Sequence, residues 1–65
     1  MNITFKDRLV EEHAALNEKI EKLSKFISES EIFKGLSTEH QDLLKRQLYH
    51  MSEYQQILIQ RIKLS

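Results

Sequence analysis

Two long stretches with apolar residues at heptad spacing leave this chain few folds to choose from. They run from about Phe5 to Ile27 and from about Thr38 to Leu64, and the short segment between them holds the only glycine, Gly35. In the first, Leu9, Leu16, Ile20, Leu23 and Ile27 fall on one line, with His13 between Leu9 and Leu16. In the second, Leu44, Leu48, Met51, Leu58 and Ile62 do the same, with Gln55 interrupting them. Steps of three and four residues make a coiled-coil seam on an α-helix. The absence of proline and the single glycine disfavour a β-rich fold with many turns. The expected fold class is therefore all-α. It is a helical hairpin with helices over about 5–28 and 38–63 and a short helix over about 31–34, in one domain over residues 1–65.

Local signals agree with those limits. Thr4 suits an N-cap, with Asp7 placed for a capping box and for the helix dipole. Ser30 suits the short helix, which Gly35 should end with a glycine cap, and Ser37 suits the second long helix. Glu18–Lys22, Glu21–Lys25 and Asp42–Arg46 are spaced as intrahelical pairs. Phe5, Val10 and Phe26 flank the first seam. Ile32, Phe33 and Leu36 should plug one end of the hairpin.

A chain of 65 residues buries only about 60% of the surface its unfolded form exposes, so it is marginal alone. Short chains compensate with disulfides, a metal or oligomerisation. There is no cysteine, which excludes disulfides and thiolate metal sites. A second stripe, Leu43, His50, Ile57 and Leu64 with Tyr54 alongside, lies on a different face of the second helix from its seam. Packing between copies accounts for that stripe better than a wide core does, and closed assemblies are the usual outcome. A homo-oligomer is expected, with Gln55 as a polar seam residue that fixes the pairing and could hydrogen-bond between copies.

Several function classes lose support. Ten basic residues balance ten acidic ones, so a duplex nucleic-acid binder is not expected. No run of about 18 apolar residues exists to span a membrane, and the first seven residues lack the apolar core of a signal peptide. A soluble, cytoplasmic protein is expected. No nucleophile motif occurs, so no enzyme is expected. His50 and Glu53 reverse the order used by carboxylate-bridged metal sites in bundles, and neither a metal nor a cofactor is expected.

The start of the first helix is more informative. Phe5 offers a ring for base stacking. Arg8 and Lys19 supply cations for phosphate, and Glu12 could orient the arginine or meet a base amine.

These residues stand in a longer pattern. It reads Phe5-x-x-Arg8, Glu11-Glu12, Leu16-x-x-Lys19-Ile20-x-x-Leu23-x-x-Phe26-Ile27, then Phe33-x-x-Leu36. It continues as Leu43-Leu44-x-x-Gln47-x-x-x-Met51-x-x-Tyr54-x-x-x-Leu58-x-x-Arg61-Ile62. The pattern resembles the small phage helical-hairpin family of anti-CBASS proteins, whose hairpin also occurs in one type of anti-Thoeris protein. The resemblance implies a sponge that binds cyclic di- or trinucleotide immune messengers and makes or breaks no bond. It implies a homo-oligomer, a hexamer in the better-known cases, with ligands held between protomers. By position, Phe5 would stack on a base, Lys19 would meet phosphate and Arg8 would add a second contact. Tyr54 and Arg61 would serve a second class of pocket. Phe5 stands where the family often has tyrosine, so stacking carries over but a hydroxyl contact does not. The alternative expectation is a protein–protein adaptor that docks through the second stripe and needs no ligand.

Overall fold

The computed structural model describes residues 4–65, which form three helices: α1 (Phe5–Glu29), α2 (Glu31–Lys34) and α3 (Thr38–Leu64). Met1, Asn2 and Ile3, part of the N-terminal stretch read above, lie outside the described residues. Each helix starts on a hydroxyl cap. Thr4 Oγ1 accepts from the Asp7 backbone N–H at 3.1 Å, and Asp7 Oδ2 accepts from the Thr4 backbone N–H at 3.1 Å, which completes a capping box. Ser30 Oγ accepts from Ile32 N–H, and Ser37 Oγ from His40 N–H. These bonds satisfy backbone donors that a helix start leaves without partners.

Gly35 ends α2 as expected, its N–H donating to the carbonyls of Glu31 at 3.2 Å and Ile32 at 3.1 Å, but not in the left-handed conformation of a glycine cap. Gly35 lies at φ −84°, ψ −8°, in the right-handed region. A Cβ there would come no nearer than 3.6 Å to the Ile32 carbonyl oxygen, an ordinary contact. The turn is closed from α3 as well. The Gln41 side-chain amide donates to the carbonyls of Phe33 at 2.9 Å, Leu36 at 3.1 Å and Lys34 at 3.3 Å. Phe33 is buried and meets Phe26 edge-on, with ring centroids 6.1 Å apart. Leu36 is half-buried. Ile32 is 71% exposed, so it does not plug the end: it sits on the outer side of a single helical turn whose inner side is taken by Phe33.

α1 and α3 pack antiparallel through their seams. Leu9, Leu16 and Leu58 form the core, and Ile20, Met51 and Ile62 pack against it. The two polar seam residues meet inside the hairpin. Gln55 is buried, and its Nε2 lies 3.0 Å from His13 Nε2 and 3.5 Å from Asn17 Oδ1. The expected pairing of Gln55 between copies is thus replaced by a cross-helix contact within one chain. The Gln55 Oε1 is buried with no hydrogen-bond partner.

Two helices offer each other one face each, and that limit is visible here. The buried apolar residues are Leu9, Leu16, Phe33 and Leu58. Phe5 and Val10, expected to widen the seam, are exposed, and so are Leu43, Tyr54, Ile57 and Leu64. The second stripe therefore does not belong to the core of a single chain. The molecule is a flat slab of 47 × 20 × 13 Å that leaves these apolar groups uncovered. Among the described residues, the ion pairs are Glu18–Lys22 at 3.4 Å and Glu31–Lys34 at 3.1 Å. Glu21–Lys25 and Asp42–Arg46 do not close. No helix among the described residues is long and apolar enough to cross a membrane.

Candidate ligand site

The antiparallel packing sets the start of α1 beside the end of α3, and this brings two of the expected site residues together. The Arg61 guanidinium carbon lies 5.6 Å from the centroid of the Phe5 ring. A cation over an aromatic face at this distance is attracted by the ring quadrupole. Phe5 is 65% exposed, so its ring keeps surface for a further flat group. Arg8 stands one turn along α1 from Phe5, and Glu12 one turn further. Arg8 is exposed and closes no ion pair with Glu12. Arg8, Lys19 and Arg61 have no carboxylate within ion-pair distance among the described residues, so all three charges are free to meet an anion.

The remaining site residues share this broad side without joining the pair. At about 100° per residue, Arg8, Glu12 and Lys19 fall within about 40° of one another around α1. Tyr54 and Arg61, two turns apart, fall within about 20° on α3. The Phe5–Arg61 contact shows that these two sectors open on the same side of the hairpin. Along the axis they are spread out. Lys19 is roughly 21 Å from Phe5 at 1.5 Å per residue. One chain alone does not bring Phe5 and Lys19 onto a common small ligand.

The site carries its charge locally in a chain of zero net charge. Asp7 belongs to the cap, not to this group. Its carboxyl is held below its ordinary value of 3.8, first by the hydrogen bond from the Thr4 backbone, then by that with the Thr4 side chain. Among the described residues, no three His, Asp or Glu side chains gather as metal ligands would. At the opposite, closed end of the hairpin, a shallow groove of about 350 Å³ is lined by Lys22, Lys25, Phe26, Glu29 and Ser30. It contains none of the six expected site residues. Arg61 over Phe5 is a contact that the spacing of residues could not supply, because it depends on how the two helices register.

The structure is a small all-helical hairpin with unpaired cations and an exposed ring on one side. The family model Sequestin matches residues 3–64, and the chain belongs to the Sequestin family. No curated protein and no solved structure matches the chain.

Proposed function

We propose that this protein is a non-enzymatic sponge that sequesters cyclic oligonucleotide immune messengers, cyclic dinucleotides or trinucleotides, in the manner of the anti-CBASS hairpins that its sequence resembles. The family name, Sequestin, is consistent with a sequestering role. The observation that carries the reading is the exposed Phe5 ring with the Arg61 guanidinium over it, beside an unpaired Arg8. A flat base and a phosphate ask for those two groups. Base stacking on an aromatic side chain is worth about 1–3 kcal/mol, and a guanidinium meets phosphate with a planar fork of donors. The protein acts by holding its ligand in a homo-oligomer, a hexamer by the resemblance, in the cytoplasm of an infected cell.

Calorimetric titration against a panel of cyclic di- and trinucleotides tests this. Tight binding, with intact ligand released on denaturation, is the expected result. Phe5→Ala, Arg8→Ala and Lys19→Ala should each weaken binding by roughly tenfold or more, the equivalent of about 1.4 kcal/mol. No heat from any member of the panel would reject the sponge.

The adaptor reading is kept alive by one observation, the exposure of Leu43, Ile57 and Leu64 along α3. It gains if the protein is a monomer in solution, because the stripe would then await a different partner.

A further inference from the structure

The polar contact inside the leucine seam depends on where one proton sits. Gln55 is 7% exposed, and its amide nitrogen faces two groups of α1, His13 Nε2 at 3.0 Å and Asn17 Oδ1 at 3.5 Å. An amide NH2 only donates, so both of these must accept. Asn17 accepts through its carbonyl oxygen, while its own Nδ2 donates to Glu21 Oε1 at 3.4 Å. His13 accepts at Nε2 only as a neutral ring with its proton on Nδ1. When the ring takes a second proton, Nε2 becomes an N–H facing an N–H. The other end of the same amide, Gln55 Oε1, is buried and receives no donor among the described residues.

We infer that Gln55 is a two-position latch: its amide donates to neutral His13 and turns over to accept from the His13 imidazolium, which keeps the polar contact across the seam through the titration of that ring. The terminal torsion of glutamine is roughly two-fold, so a half-turn exchanges Nε2 and Oε1 with little change of shape. Oε1 then faces the His13 N–H and takes a charge-assisted hydrogen bond. It also faces Asn17, whose amide turns in the same way, so that Nδ2 leaves Glu21 and donates to Oε1. An amide oxygen has two lone pairs, and these two donors fill them. In the neutral state two N–H groups of Gln55 meet two acceptors; in the charged state its oxygen meets two donors. One end of the amide lacks a partner in either state, Oε1 in the first and Nε2 in the second. An apolar side chain at this position offers neither arrangement, and a carboxylate offers only the second.

No fixed charge competes for the ring. His13 has no carboxylate within ion-pair distance among the described residues. At about 100° per residue, Glu12 lies about 100° and Glu11 about 160° from His13 around α1. Lys6 and Glu21 on α1, and Lys63 on α3, stand nearer to this side but about 10 to 12 Å away along the axis. Across the seam, Tyr49, His50, Glu53, Tyr54 and Arg61 each lie about 100° or more from Gln55 around α3. The Gln55 amide is therefore the group that meets the change of charge.

Nuclear magnetic resonance of isotope-labelled wild-type protein tests the latch at about pH 8 and about pH 5, either side of the range in which an ordinary histidine changes charge. At the higher pH, long-range proton–nitrogen spectra should show His13 Nε2 without a proton, and the Gln55 NH2 should give a nuclear Overhauser effect to the His13 ring. At the lower pH, Nε2 should carry a proton and that effect should be lost. The backbone amides around His13 and Gln55 should keep their protection from hydrogen exchange at both. Loss of protection at the lower pH would overturn the latch, because the contact would then break instead of turning. A ring that stays neutral, or an Overhauser effect that persists, would overturn it as well. Gln55→Met can neither donate nor accept in this way, so its protection should hold at the higher pH and drop at the lower; equal protection at both would show that no latch is needed. His40 and His50 titrate in the same range. In His13→Leu the Gln55 resonances should lose their response to pH, and a response that survives would assign it to those rings and overturn the proposal.

Discussion

Asp7 shows how a single side chain ties helix formation to pH. Its carboxylate accepts from the Thr4 backbone N–H, which holds its folded value below 3.8. A lowered carboxyl stabilises the fold above its unfolded value and loses that contribution as pH falls through the folded one. The start of α1 should therefore fray below about pH 4, and far-UV circular dichroism of wild type against Asp7→Asn would show it. The variant should lack that acid step and be less helical at neutral pH. His13, Asn17 and Gln55 make the other informative group. Removing one partner from a buried polar contact costs more than removing both. His13→Leu alone should destabilise the protein by about 1–3 kcal/mol, because the Gln55 amide loses its shortest contact. The pair His13→Leu with Gln55→Met should restore most of that loss, since it also removes the unpartnered Oε1. Urea unfolding of the three proteins decides this.

At the scale of elements, the turn is held by a side chain from the following helix. Gln41 donates to three carbonyls around α2 and Gly35. Gln41→Ala should cost about 1–2 kcal/mol by leaving those acceptors to water or to nothing. Gly35→Ala has the opposite expectation. The glycine sits at negative φ with room for a Cβ, so alanine should stabilise by about 0.4–1 kcal/mol through the unfolded chain. Thermal melts of both variants check these signs. The three hydroxyl caps and the two seams were legible in the sequence because they depend on neighbours one or two turns away. The Gln41 cap was not, because it needs the direction in which α3 leaves the turn.

For the whole molecule, the thinness of the fold matters most. Leu58 is fully buried, and Leu58→Ala should cost about 2–5 kcal/mol and unfold much of the hairpin, as seen by circular dichroism at 25 °C. Few other side chains are so placed, and an apolar row on α3 is left uncovered. If copies cover that row, stability should rise with protein concentration, since unfolding then couples to dissociation. Melts over a hundredfold concentration range would show it, and a constant midpoint would argue for the monomer that the adaptor reading requires.

Sequence alone determined the helical class, the caps and the seam faces, because periodicity and capping act over three or four residues. It also offered Phe5, Arg8, Glu12 and Lys19 as candidate ligand contacts by residue type and spacing, and Tyr54 and Arg61 through the family resemblance. Which of them meet was decided by tertiary packing. Arg61 reaches Phe5, and Gln55 reaches His13 across 42 residues, only because the leucine seams settle in one register. That register is a property of the summed contacts of both helices, and no single stretch of the chain carries it.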